Sequence, residues 1–350
     1  MTRTARQDPP GDSPAGEDDA LVTTLRACAD PTRLWILRLL ARDAFAVQEL
    51  GTMLGLGQAT VSHHLKSLMD AQMVAARRDG THTFYRRALP AADSAGLRSA
   101  LLAELDGRTL PAALQQGRDA VFEARGERSR RFFDRNAERF DASRDLIAAP
   151  EAYLPELAEL LPDRGESVLE LGPGPGEFLP ELAARYDRVT ALDVSPEMIE
   201  RARRRCADAG LARIELHVGE LPEATAPLAD AALARALQAP FTTIVCAMVL
   251  HHAPRPDALI RRCAARLAPG GQLVLADLCP HGQDWVFDAC GDVWPGIDPE
   301  AITAWARAAG LEPGPSQFLA QRNGFRIQLR RFEASSDPST PPNPSTGRPR

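Results

Sequence analysis

The sequence has no CxxC pair, no apolar run near the ~20 residues of a membrane span, and one lysine, Lys66, among 41 basic residues. Its six cysteines, at 28, 206, 246, 263, 279 and 290, are too scattered for a disulfide framework and point to a reducing, cytoplasmic setting. Cys279, His281 and Cys290 match no ligand spacing, so no metal site is expected. The opening segment MTRTARQDPPGDSPAGEDD lacks the apolar core of a secretory signal. Positive charge is scarce only on average. The formal charge is −6, yet residues 58–88 hold Lys66, Arg77, Arg78, Arg86 and Arg87 against Asp70 and Asp79. A local basic face is sufficient for a nucleic-acid contact.

What is present organises into two domains. Residues 1–19 and 334–350 read as polar, disordered tails rich in Pro, Ser and Asp. Between them the expected segments are a helical domain over 20–90, joining helices over 91–149 and an alternating strand–helix domain over 150–333. Asp30-Pro31 starts a helix, with a capping acceptor followed by proline at the first helical position. VQELGTML gives a second helix, broken by the glycines at 55 and 57. In the third, Val61, Leu65 and Leu68 fall on one face, which turns Gln58, Thr60, Ser62, His63 and Lys66 outward. Two short helices about a glycine turn form a helix-turn-helix, and the outward side chains have the size and chemistry that read a DNA groove. Asp79-Gly80 then marks a hairpin whose arms carry Arg77, Arg78, His82 and two further arginines, a wing suited to phosphates. GLRSALLAELDGRTLPAALQQ reads as one helix with Leu97, Leu101, Leu102 and Leu105 at a dimer interface.

Farther on, VLELGPGPGEF reads as a buried strand ending at Glu170, a turn through Gly172, Gly174 and Gly176, and a helix. This opens a doubly wound α/β fold with its ligand at the strand's carboxyl end. The dinucleotide fingerprint would require glycine at Glu177, and the acids at 170 and 177 suit a pyrophosphate poorly. A ligand with a ribose and an amino group, without phosphate, fits better. RVTALDV ends a second strand at Asp193, placed to accept from ribose hydroxyls. A third strand is expected to end at Glu220, and a fourth, FTTIVCAMVLHH, at His251 and His252. That histidine pair is a candidate for acid–base work or for lining a pocket. Phe132, Phe133 and Phe140 are expected near the ligand.

Two family resemblances attach to these stretches. CADPTRLWILRLLARDAFAVQELGTMLGLGQATVSHHLKSLMDAQMVAARRDGTHTFYR resembles the winged helix of ArsR-type transcriptional repressors. The resemblance implies a cytoplasmic homodimer on a twofold-symmetric DNA operator, contacting it through the outward residues named above. The family's metal-sensing cysteines and histidines have no counterpart in VQELGTML or SAGLRSALLAELDGRTL, so another signal is expected. VLELGPGPGEF, VTALDVSPEMI and VLHHAPRPDALIRRCAARLAPGGQLVLADL resemble class I S-adenosylmethionine-dependent methyltransferases.

That second resemblance implies a Rossmann-like domain binding S-adenosyl-L-methionine or S-adenosyl-L-homocysteine. Glu170 would contact the methionine amino end and Gly172, Gly174 and Gly176 would wrap the ligand. Asp193 with Val194 would lie at the ribose, and Glu220 with Leu221 at the adenine. Position 220 is more often Asp in the family, and PFTTIV has threonines where an acid is usual. The expected architecture is thus an α+β winged helix-turn-helix followed by a doubly wound α/β methyltransferase-type domain. Methyl transfer needs little beyond positioning, so two functions stand: a DNA-binding regulator with a small-molecule effector, or an active small-molecule methyltransferase with an autoregulatory DNA-binding domain.

Overall fold

The structure is a computed structural model describing residues 15–41, 43–79, 82–88, 95–226, 230–283, 285–286 and 290–336. At 15–18, 20, 77–79, 82, 95 and 134–143 only the backbone is described. The chain divides into two compact units, residues 1–121 and 122–350.

In the first unit, helix α1 (Ala15–Cys28) begins inside the segment expected to be a disordered tail. Helix α2 (Pro31–Leu39) starts as expected: the Arg33 amide donates to Asp30 Oδ1 at 2.9 Å. Strand β1 (Phe45–Ala46) leads into α3 (Val47–Leu54), where the Glu49 carboxylate accepts from the Ala46 amide at 2.8 Å. Gly55, in the left-handed region at φ 65°, ends α3 and turns the chain into α4 (Gln58–Asp70). Val61, Leu65 and Leu68 are wholly buried along α4, while Gln58, Thr60, Ser62, His63 and Lys66 are all exposed. Sequence periodicity alone therefore orients the helix correctly.

Strand β2 (Val74–Asp79) pairs antiparallel with β3 (His82–Arg87) through to Asp79 opposite His82. Asp79 of the expected Asp79-Gly80 turn is thus still paired, and Gly80 lies outside the described residues. Arg87 does not face outward. Its guanidinium pairs with Asp106 at 2.8 Å and donates to the Leu37 carbonyl at 2.7 Å, so it ties the wing to the helical body.

The helix expected across 96–116 is two. Helix α5 (Ala95–Asp106) stops at Gly107, and α6 (Ala112–Ala148) begins after Pro111, whose missing amide cannot continue a helix. Leu105 is buried on α5, whereas Leu97 is exposed. Helix α6 is unbroken over 37 residues; its residues to Val121 fall in the first unit and those from Phe122 in the second. Gly117 lets α6 approach α3 closely, since a Cβ there would lie 2.9 Å from Met53 Cα.

The second unit enters through the short helix α7 (Leu154–Ala158) and is built on a seven-stranded sheet. Its strands are β4 (Gly165–Leu171), β5 (Tyr186–Asp193), β6 (Ile214–Val218), β7 (Phe241–Ala247), β8 (Leu267–Leu278), β9 (Leu311–Ala320) and β10 (Arg326–Ala334). The spatial order is β6-β5-β4-β7-β8-β10-β9, with β10 antiparallel to both neighbours and β4 to β8 parallel. Among the described residues the unit also has helices α8 (Leu179–Arg185), α9 (Pro196–Asp208), α10 (Ala231–Ala236), α11 (Pro256–Ala264) and α12 (Pro299–Ala308). Strand order reverses between β4 and β7, which opens a crevice at the carboxyl ends of the parallel strands. The central strands β4, β7 and β8 bury Val168, Leu169, Ile244, Val245, Leu273 and Val274 completely, as a sheet covered on both faces requires.

Candidate functional site

Glu170 and Asp193 end adjacent strands at that crevice, 2% and 8% exposed. The Gly172 amide donates to the Leu192 carbonyl at 2.9 Å, which holds the glycine turn against the end of β5. Gly172, Gly174 and Gly176 all take positive φ, at 62°, 53° and 83°. A Cβ at Gly172 would meet Val249 Cγ2 at 2.6 Å, and one at Gly176 would meet Ala202 and Leu179 at 3.0–3.2 Å. A Cβ at Gly174 would meet nothing within 4 Å, so there the loop faces open space. Two glycines are thus needed for packing, and the middle one lines the crevice.

The two carboxyls are held differently. Asp193 accepts from the Ser195 amide at 2.9 Å through Oδ1 and from the Gly174 amide at 3.2 Å through Oδ2. Burial raises it to about 6, offset by the amides of Ser195, Gly174 and Val194. Glu170 Oε2 has no hydrogen-bond partner, and burial, with Asp193 and Glu177 nearby, raises that group to about 8. A buried carboxyl lacking a donor is costly unless a ligand supplies one. An ammonium group would satisfy Glu170, and a vicinal diol would use the remaining lone pairs of Asp193. S-adenosylmethionine carries both, so the residues fit the group that the glycine loop led us to expect.

The remaining expected ligand residues are dispersed around this cradle. Strand β6 ends at Val218 rather than at Glu220, because the Gly219 amide turns back to the Asp193 carbonyl at 2.8 Å. Glu220 is exposed and pairs with Arg130 of α6 at 2.7 Å. Leu221 is buried, and Val194 is 37% exposed beside Asp193. Glu177, which breaks the dinucleotide fingerprint, accepts two hydrogen bonds from Arg144 of α6, at 2.7 and 3.0 Å. Sequence reasoning missed both arginines, since α6 lies far from the loop in the chain and nothing local marks them. Phe132 packs against Gly291, and the Phe133 ring meets His252 edge-on with centroids 5.0 Å apart. The Phe140 side chain lies outside the described residues.

The histidine pair is not at a strand end, contrary to expectation. Strand β7 stops at Ala247 because Met248 adopts φ 59° with its amide donating to the Ala276 carbonyl at 2.7 Å. The histidines sit beyond it on a 3-10 turn, Leu250–His252. Asp277, at the end of β8, organises that turn: it accepts from the Leu250 amide at 2.8 Å and lies 2.9 Å from His251 Nδ1. Burial opposes charge on His251, but Asp277 and Asp292 overcome it and raise the imidazole to about 9. His252, buried beside that charge, is held well below the usual histidine range. Cys279 and Cys290 are buried thiols with raised values, chiefly through burial.

In unit 1 the side chains expected to face a DNA groove are all exposed on α4, and the Arg77, Arg78 and His82 backbones lie on the paired wing strands with their side chains outside the described residues.

Comparison with known proteins assigns both units. Residues 30–76 match the family described as bacterial regulatory protein, arsR family, and residues 142–313 match the methyltransferase domain family. The chain joins an arsR-family helix-turn-helix to a methyltransferase domain. The methyltransferase domain is similar to the ubiquinone biosynthesis O-methyltransferase of Xanthomonas euvesicatoria, at 29% identity over 42% of this chain and 63% of that protein. It is also similar to the enzyme of the same name from Dechloromonas aromatica, at 26% identity over 54% of this chain and 81% of that protein. Among solved structures, the N-methyltransferase NodS of Bradyrhizobium japonicum, in complex with S-adenosyl-L-homocysteine, aligns with 59% of this chain and 98% of its own. That alignment has 24% identity and a TM-score of 0.46. Among the described residues, no helix is long and apolar enough to cross a membrane.

The state of Glu170 is testable by pH. Its folded-state value lies above the ordinary 4.5, so the folded chain retains a proton that the unfolded chain releases. Glu170 therefore costs stability progressively as pH rises from about 4.5 towards about 8. Glu170→Gln should gain stability relative to the parent between about pH 5 and about pH 8, by up to a few kcal/mol. Urea unfolding at both pH values reads it, and a flat or falling difference contradicts a buried neutral carboxyl.

Proposed function

We propose that the chain is a cytoplasmic, homodimeric DNA-binding transcriptional regulator whose methyltransferase domain binds S-adenosyl-L-methionine or S-adenosyl-L-homocysteine as its effector. The observation that carries this reading is the buried Glu170 carboxyl, whose Oε2 has no partner, beside Asp193 at the glycine turn, in a chain that also presents an exposed polar face on α4. Gln58, Thr60, Ser62, His63 and Lys66 would face the major groove, with Arg77, Arg78 and His82 along the phosphates. Leu21, Val22 and Leu25 of α1 and Leu97 of α5 are exposed apolar side chains that a second copy would cover.

In this account Glu170 accepts from the ligand's ammonium, Asp193 from its ribose hydroxyls, and the glycine turn admits it without side-chain obstruction. Val194 lies beside the ribose and Leu221 beside the base. Arg130 and Arg144 draw α6 onto Glu220 and Glu177, at the two sides of the same cradle. A ligand that displaces or tightens either pair changes the free energy of α6, the helix that continues into the first unit. Such a difference between ligand states is what coupling to DNA requires.

A duplex selected by the full chain from a random-sequence pool, measured at fixed salt, tests this directly. Its affinity should change at least about fivefold when saturating S-adenosyl-L-homocysteine or S-adenosyl-L-methionine is added. Asp193→Ala should abolish that response while leaving ligand-free DNA binding unchanged. An affinity indifferent to both ligands would sink the reading.

The relatives named as O-methyltransferases favour a second reading, in which the domain transfers a methyl group to a small-molecule hydroxyl and the DNA-binding unit regulates its own expression. S-adenosylmethionine would supply the methyl group from its sulfonium; the chain's residues would position the acceptor in line with it. Incorporation of labelled methyl into a small-molecule extract, lost in Asp193→Ala, would support it. No incorporation despite tight ligand binding would remove it.

A further inference from the structure

A second polar cluster lies next to the cradle, on the far side of Gly172, where Val249 leads into the histidine turn. His251, His252 and Asp292 converge there, each offering one donor atom, with all three atoms within 4.8 Å of one another. Asp292 Oδ1 lies 3.8 Å from His251 Nε2 and 3.7 Å from His252 Nδ1. Both separations exceed the ~3.2 Å reach of an ordinary N–H···O hydrogen bond. They suit another relation: two ligands each about 2.1 Å from one ion, in tetrahedral geometry, sit about 3.4 Å apart. The two Asp292 separations stand a few tenths of an ångström above that spacing, and the two imidazole nitrogens lie within 4.8 Å of each other.

The surroundings are those of a built site. His251 Nδ1 is engaged by Asp277 at 2.9 Å, and Asp277 is itself fixed by the Leu250 and Leu278 amides, both at 2.8 Å. A carboxylate on one ring nitrogen orients the other towards a metal, the arrangement seen behind most metal-ligating histidines. The loop bearing Asp292 is clasped to the turn, since the Val293 and Trp294 amides both donate to the His251 carbonyl, at 2.9 and 3.0 Å. His251 and Asp292 are 2% and 4% exposed, and only His252 opens partly towards solvent, beneath Phe133. With both imidazoles neutral, as metal ligation requires, the two buried carboxylates facing them are balanced in charge by one dication.

We propose that His251 Nε2, His252 Nδ1 and Asp292 bind one divalent first-row transition-metal ion of the zinc or ferrous class. Nitrogen and carboxylate donors select such ions over magnesium or calcium. Binding exchanges the 3.3 Å contact between His252 Nδ1 and the Gly291 carbonyl for a metal bond. Three protein ligands leave a coordination position for water or an oxygen of a small-molecule acceptor. The site stands independently of the effector reading, because its residues are not those of the cradle.

The experiment uses the tag-free full chain, stripped with chelator and titrated with Co²⁺ under equilibrium dialysis and visible spectroscopy. The expected result is one Co²⁺ per chain, with d–d bands, no thiolate charge-transfer band, and displacement by Zn²⁺. Asp292→Asn and His252→Gln should each weaken binding at least about tenfold, with circular dichroism confirming that each variant is folded. The parent chain also reports independently of any variant, since excess Zn²⁺ should raise its melting temperature. A parent that retains no Co²⁺, a thiolate band placing the ion on cysteine, or folded variants that bind like the parent would overturn the site.

Discussion

At the carboxyl end of β4 the Glu170 side chain is withdrawn from water while its Oε2 meets no donor, and Asp193 ends the neighbouring strand almost as deeply. Two carboxyls so placed cannot both carry charge without compensation, since desolvation and mutual repulsion each favour the neutral form. Asp193 is compensated by three backbone amides of the turns around it. Glu170 is not, and a fold that keeps such a group spends stability on it. The turn through Gly172, Gly174 and Gly176 exists around that constraint: positive φ at all three brings the backbone over the strand ends without filling the space above Gly174.

Helix α6 is the second element on which the arrangement depends. Arg144 reaches Glu177 at one side of the glycine turn, and Arg130 reaches Glu220 beyond β6. The Arg144–Glu177 pair is largely shielded from water, with side chains 11% and 22% exposed, whereas the Arg130–Glu220 pair is open, at 42% and 54%. An open pair contributes about 0–1 kcal/mol, so Arg144 anchors the helix and Arg130 is the more easily exchanged contact. The same helix packs Gly117 against Met53 within the first unit.

Much of this was legible in the sequence, for identifiable reasons. Val61, Leu65 and Leu68 repeat at helical spacing, so the exposed face of α4 follows from counting. The glycine loop is legible because its backbone demands residues without Cβ. Asp193 is legible because a strand pattern ends there. The histidine turn was misplaced because periodicity continues smoothly through VCAMVLHH, while the break at Met248 is imposed by the Ala276 carbonyl of a different strand. Asp277 and Asp292 were invisible as partners of His251 for the same reason: only the sheet and the loop beyond β8 bring them together. The start of α1 was missed because a polar, proline-containing lead-in masks the helix that follows it.

The most direct test of the central claim, that ligand and DNA are read by one coupled molecule, is a reciprocal one. Calorimetry would measure S-adenosyl-L-homocysteine binding to the full chain alone and to the chain saturated with its selected duplex, at one salt concentration. The account predicts that DNA shifts the ligand's affinity by the same factor by which the ligand shifts that of DNA, as linkage demands. Equal ligand affinities with and without DNA would show two independent sites and contradict it.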